Sequence, residues 1–353
     1  MIKTNTKLTY IFFLACLLLG SRPGLIGAAA EEVAIDPSLL RMFRPLPTTM
    51  DSEKNPSTKE RVDLGRMLYY EKRLSKNHDV SCNSCHALDK YGMDQTSVSS
   101  GHKGQKGNRN APTVYNAAAH LAQFWDGRAA DVEEQAKGPV LNPVEMAMPS
   151  GEGAVAVLKS MPAYVQAFQK AFPGEKGPVT FDNMSRAIAA FERRLMTPSR
   201  WDDFLQGNKT ALSSAEKAGF LKFTEAGCQS CHMGVLVGGV MYQKLGLVEP
   251  WSDSSDLGRY QVTKQESDKL VFKVPSLRNI EKTAPYYHNG SVATLEQAVK
   301  LMGEHQLGRQ LRDDEVQSIV TWLTALTGSI PSDYIKPPKL PESTAQTPKP
   351  ERS

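Results

Sequence analysis

Two five-residue runs, CNSCH (Cys82, Cys85, His86) and CQSCH (Cys228, Cys231, His232), constrain what this chain can fold into more than any other feature. Two thiols one short turn apart are spaced to add to the two vinyl groups of one haem, and the histidine that follows then reaches the iron as its proximal ligand. A disulfide between near neighbours and a four-cysteine zinc site are the rival readings. Neither accounts for a histidine directly after both second cysteines. The fifth cysteine, Cys16, sits in the N-terminal segment, so no cysteine is left over in the rest of the chain. The motifs predict two covalently bound haem c groups, one on Cys82 and Cys85 and one on Cys228 and Cys231, with His86 and His232 on the irons.

The ends of the chain frame this reading. Lys3 and Lys7, the apolar run LTYIFFLACLLLG and the small-residue stretch GAAA before Glu31 read as an export signal spanning residues 1–30, which predicts a periplasmic protein. A retained anchor or a lipidated Cys16 is the rival, but the run is short for a span, and Phe13 and Leu14 suit a lipidation box poorly. Removing residues 1–30 takes away Lys3, Lys7 and Arg22 and no acid, so the formal net charge of +4 falls to +1. Nothing in that charge points to nucleic acid or a membrane surface as a partner. At the other end, residues 332–353 are proline-rich and polar with almost nothing to bury, which predicts a disordered tail.

Between the ends, helical periodicity surrounds both motifs. KERVDLGRMLYYEKRLS and SSAEKAGFLKFTEAG precede them, the second with Ser213 or Ser214 as a candidate N-cap, and TLEQAVKLMGEHQLG and RDDEVQSIVTWLTALTG follow the second. The amphipathic FDNMSRAIAAFERRLMT lies between the two units, and PSRW after it offers a break near residue 200. The expected fold is mostly α, two cytochrome c-like helical haem domains packed together: residues 31–199 around the first motif and 200–331 around the second.

The sixth position of each iron decides whether a haem carries electrons or does chemistry. For the second haem a methionine thioether would raise the potential, and Met302, well downstream of the motif, is the leading candidate. Met241, His288 and His305 are rivals, and a core methionine is the bland alternative. For the first haem the candidates are His78, His102 and His120. His102 lies within SSGHKGQKGNRNAPT, whose glycines predict a flexible loop from which a ligand could reach the iron and also leave it. Among the acids, Glu145 stands out because NPVEMAM surrounds it with apolar residues. A buried carboxyl beside an open iron could move a proton between peroxide oxygens.

Taken together, CNSCH, GHKGQKGNRNAPTVYNA, FWDGRA, EEQAKGPVLNPVEM, FERRL, CQSCH, FKVPSLRNIEKTAPYYHNGSVATLEQAVKLMG and LGRQL resemble the bacterial di-haem cytochrome c peroxidases, from about residue 40 to 330. The resemblance implies a periplasmic enzyme that reduces hydrogen peroxide with electrons from a small cytochrome c or blue-copper (cupredoxin) donor. His102 falls where the family keeps the displaceable ligand of the N-terminal peroxidatic haem. Gln135 and Glu145 fall at the pair lining its distal pocket, Trp125 at the tryptophan between the haems, and Met302 at the sixth ligand of the C-terminal haem. Asn110, Thr283 and Pro285 fall where the family binds calcium, and family members tend to form homodimers. The related methylamine-utilisation enzymes resemble the chain too, but place a tyrosine where Met302 stands. A plain di-haem electron carrier is the third reading, and it would need neither Glu145 and Gln135 in a pocket nor a ligand on a mobile loop.

Overall fold

The computed structural model describes residues 1–7 and 32–351. Residues 1–7 carry no regular secondary structure; the rest of the export-signal reading of residues 1–30, with Cys16, lies outside the described residues. In chain order the helices are α1 (Pro37–Leu40), α2 (Lys59–Tyr69), α3 (Cys82–Cys85), α4 (Val132–Leu141), α5 (Gly151–Lys159), α6 (Pro162–Ala171), α7 (Phe181–Glu192), α8 (Arg200–Leu205), α9 (Ser214–Ala226), α10 (Tyr260–Thr263), α11 (Leu295–Leu307) and α12 (Asp313–Thr324). Two short strands, β1 (Tyr242–Lys244) and β2 (Val271–Lys273), pair antiparallel with Tyr242 opposite Lys273. The mostly helical expectation is met.

Local chemistry sets the helix ends. Thr58, Thr180 and Thr294 each accept a backbone N–H of the helix that follows, and Ser213 and Glu216 form a reciprocal capping box at α9. Such caps contribute about 1 kcal/mol each. Helices α9 and α11 end on Gly227 and Gly308 with φ of 95° and 63°, the left-handed region that glycine enters without a Cβ penalty. The helix expected through Ser75 stops at Tyr69 instead, because Glu71 turns extended and its buried carboxylate accepts from Arg73 and from the Tyr164 hydroxyl.

Tertiary packing uses one device twice. Helix α2 crosses α7 so closely that a Cβ on Gly65 would lie 1.9 Å from the Ala187 carbonyl oxygen. Helix α9 crosses α12 in the same way, a Cβ on Gly219 falling 2.1 Å from the Ser318 carbonyl oxygen. Around the first crossing gathers a core that includes Leu64, Leu68, Tyr164, Phe168, Ile188 and Phe191, with Cys82 packed against it. Around the second gather Trp201, Phe220, Phe223, Ile319 and Trp322, with Cys228 packed against them. Each cysteine motif therefore hangs from its own helix crossing.

The chain ends cross over between the two cores. Phe43 is buried in the second core beside Trp201 and Phe220, although it precedes the first motif. Ile335 is buried in the first core, although it follows the second motif. The tail expected to be disordered from residue 332 onward instead lies against the first core. Tyr334 stacks on Phe191 at 5.0 Å, Tyr70 donates to the Ile335 carbonyl, and Arg73 donates to the Pro341 carbonyl. Its few apolar groups and its many free backbone acceptors both find partners there, which composition alone conceals.

Candidate active site

Two cavities open beside the two motifs. The first, about 1560 Å³ counted to its open mouth, has Cys85 and His86 in its wall together with Arg128, Gln135, Asn142, Glu145 and Glu192. The second, about 1700 Å³ counted the same way, has Cys228, Cys231 and His232 in its wall, with Met302 on α11. Asn110, Ala111, Pro112, Thr113, Phe124 and Trp125 line both cavities, so this segment and the aromatic pair form a shared partition. The Trp125 indole donates to the Asn110 carbonyl at 2.9 Å and is fixed in that partition.

The motif histidines are oriented alike. His86 Nδ1 lies 3.0 Å from the Pro112 carbonyl oxygen and His232 Nδ1 lies 3.3 Å from that of Val237. A carbonyl takes the Nδ1 proton in each case, which leaves Nε2 with its lone pair for a metal. Burial holds both rings below the usual histidine range, His232 down to about 4, so both rings are neutral and able to serve as ligands. The four thiols are not joined in disulfides, and burial pushes Cys82 and Cys228 upward, Cys228 to about 12. Because Cys82 packs on one core and Cys228 on the other, the four cannot share one zinc ion. Room, donor set and ring orientation fit one haem c in each cavity.

The polar wall of the first cavity follows from α4. Asp131 caps it by accepting the Glu134 N–H, and Val132, Ala136 and Val140 turn their stripe into the protein. Gln135, Pro139 and Asn142 follow at i, i+4 and i+7 on the cavity side. Asn142 then donates from Nδ2 to the Glu145 carboxylate at 2.7 Å. Burial raises the Glu145 pKa, opposed by the Arg128 charge and by this hydrogen bond.

His102 is buried at 7% exposure but is not among the residues lining either cavity. Its backbone N–H donates to the Val144 and Glu145 carbonyls at 3.1 and 2.8 Å. A Cβ on Gly101 would lie 2.1 Å from the Val144 oxygen, so the loop expected to be flexible is seated tightly on the 142–146 turn. Gly104, with φ of 72° and open space around it, keeps the glycine freedom expected of the segment. His120, a candidate at the first iron, lies in the wall of the second cavity instead. Of the rivals to Met302, His305 hydrogen-bonds the Glu249 carbonyl outside the cavity, while His288 lines it with its ring stacked on Phe272.

Asn110, Thr283 and Pro285 all line the second cavity. Among the wall residues that escaped the sequence reading are Arg128, Asn142, Glu192 and Lys273. Arg128 stands in FWDGRA, where the Asp126-Gly127 turn closes a bridge between Gln123 and Ala129, and that turn is the one local signal that could have found it.

Two helix-borne CxxCH motifs with oriented histidines, each beside its own cavity, define a two-haem c-type cytochrome. Residues 59–210 match the family described as di-haem cytochrome c peroxidase. The chain is 49% identical to the cytochrome c551 peroxidase of Nitrosomonas europaea over 83% of its own length and 87% of that protein. It is 44% identical to the cytochrome c551 peroxidase of Pseudomonas aeruginosa, covering 91% of this chain and 94% of the relative. A crystal structure of a MauG-like protein associated with microbial copper homeostasis superposes with a TM-score of 0.75 at 29% identity, over 83% of this chain and 97% of that one. The chain belongs to the di-haem cytochrome c peroxidase family and is an oxidoreductase of that kind.

Proposed function

We propose that the chain works in the periplasm after loss of residues 1–30, reducing hydrogen peroxide to water in the first cavity with electrons that a small cytochrome c or blue-copper donor delivers to the second. The observation that carries the reading is the convergence of Gln135, Asn142 and a half-buried Glu145 on the cavity that holds His86. Two haem c groups, when bound, supply the redox chemistry. Glu145 takes the proton of the peroxide oxygen nearest it and returns it to the departing oxygen, so that water leaves. Asn142 holds that carboxylate in place, and Gln135 orients the peroxide by hydrogen bonding. An electron carrier would have no use for this arrangement.

The remaining roles follow the same division. Met302, in the wall of the second cavity, would supply the sixth, thioether ligand to the haem there and so raise that site's potential. Trp125, in the partition, lies on the electron path. His102 acts as a gate: it closes the first cavity in the resting protein and leaves it once the second site has been reduced. Asn110 Oδ1 and the carbonyl oxygens of Thr283 and Pro285 bind calcium; these oxygens accept no hydrogen bond from the described residues, and oxygen donors suit that hard cation. Residues 31–199 and 200–331 serve as the peroxidatic and electron-transfer domains, and the active form is a homodimer.

The test is peroxide turnover of Glu145→Gln. A loss of about 100-fold or more with unchanged haem spectra is expected, and near-normal turnover would refute the acid-base role. Because the free enzyme needs Glu145 as a base and burial raises its pKa, wild-type turnover should fall on the acid side at a pH above the ordinary glutamate range. That limb should vanish in the variant.

A further inference from the structure

We propose that Lys273, held in place by His120, forms a cationic socket that holds one propionate carboxylate of the haem in the second cavity and thereby raises that haem's potential. The proposal rests on haem c occupying this cavity. Lys273 ends β2, is 5% exposed, and lines the cavity together with His120. Its Nζ lies 3.1 Å from His120 Nδ1, and no ion pair to it forms among the described residues. An ammonium can only donate, so Nδ1 accepts and His120 carries its proton on Nε2. That Nε2 is buried without a hydrogen-bond partner. Two ammonium hydrogens are thus left without an acceptor in the wall, and the imidazole hydrogen is left without one on the far side of the ring, toward Gly239.

Buried cations elsewhere in the molecule are treated differently. Arg278 faces Asp202, Arg109 faces Asp126 and Asp256, and Arg193 faces Glu133. An unpaired buried charge is costly, and burial pulls Lys273 down to about 8. Around it the wall is made largely of apolar groups, among them Phe272, Val274, Leu245 and Ile319. The group this cavity receives brings two carboxylates of its own, and one of them seated on Lys273 would satisfy both ammonium hydrogens, with His120 Nδ1 holding the ammonium in place. A positive charge held there favours the reduced iron over the oxidised one, which raises the potential. The Lys273 backbone N–H also donates to the Trp125 carbonyl at 2.8 Å, so the socket is tied to the partition between the cavities.

Spectroelectrochemical titration of the holoprotein tests this directly. At a fixed ambient potential, Lys273→Gln should lower the reduced-to-oxidised ratio of the second haem about tenfold. His120→Phe should shift it in the same direction, and Lys273→Arg should stay near wild type. An unchanged ratio in both Lys273→Gln and His120→Phe overturns the proposal. Should Lys273→Gln load only one haem while Lys273→Arg loads two, the socket is supported as an anchor. A crystal structure of the loaded wild-type protein decides without any variant: a propionate oxygen within about 3.5 Å of Lys273 Nζ supports the socket, and both propionates turned away from it overturn it. Haem content per chain, from the pyridine haemochrome, separately tests whether the second cavity is loaded at all.

Discussion

The two halves of the molecule share a motif and a helix crossing, yet their cavities are lined for opposite tasks. In the second, the wall includes a regular helix, α11, carrying Met302 among apolar neighbours. In the first, Gln135, Asn142 and Glu145 come from the last turns of α4 and the turn after it, and the His102 loop is seated on that turn. A helix delivers one candidate ligand, a thioether, from a regular element. A turn and a loop deliver polar groups, and one candidate ligand that sits outside the cavity. The buried titratable groups differ in the same sense, an acid in the first wall and a base in the second: burial pushes Glu192 up to about 8 and pulls Lys273 down to about 8.

That comparison can be broken at several points. The largest effect is expected in the second half, where Arg278 and Asp202 pair at about 1% side-chain exposure and Arg278 also donates to the Val235 carbonyl. Arg278→Met strands a buried carboxylate, and chemical denaturation should show a loss of about 3–5 kcal/mol. A loss under about 1 kcal/mol would mean that water reaches the pair.

In the first half the Glu192 carboxyl should make stability depend on pH. Its folded-state pKa of about 8 stands above the ordinary glutamate value, so between the two the folded chain holds a proton that the unfolded chain releases. Stability contributed by this group therefore falls as pH rises from about 4.5 to about 8, with a slope of up to about 1.4 kcal/mol per pH unit. Denaturation midpoints of Glu192→Gln across that window should be flatter than those of wild type, and parallel curves would show that Glu192 is ionised in the fold.

The helix crossings predict symmetry rather than difference. Gly65→Ala and Gly219→Ala each drive a methyl into a facing carbonyl, and each should cost about 1–3 kcal/mol. If one is silent, that crossing is the looser one. The smallest effect is expected at the returning tail: Tyr334→Ala removes the stack on Phe191 and the hydrogen bond to its carbonyl, worth about 1–2 kcal/mol in thermal unfolding.

Much of the fold was legible because its signals are local. The i, i+3, i+4 periodicity of 181–192, 214–226 and 295–307 and the Ser213–Glu216 capping box are contained in a few consecutive residues, and the helices stand where that pattern puts them. The returning tail was not legible, since Ile335 and Tyr334 look like isolated apolar residues until the first core is beside them. Glu192 reads as one more surface acid at the end of an amphipathic helix, yet it is 4% exposed in a cavity wall. His120 could be assigned to the first iron by chain distance alone; only the close approach of the 117–121 turn to Gly239 puts it in the second cavity.

By itself the sequence determined two haem attachment sites, the helices that carry them and the family to which the chain belongs, because thiol spacing, helical periodicity and multi-residue blocks are properties of short stretches. Tertiary structure alone decided which side chains face each cavity, that the His102 loop is seated on the Glu145 turn, and that Lys273 is buried against His120 with no counter-ion among the described residues. Those are distances between residues up to about 150 positions apart, set by helix crossings and by the exchange of chain ends, and no local pattern encodes them.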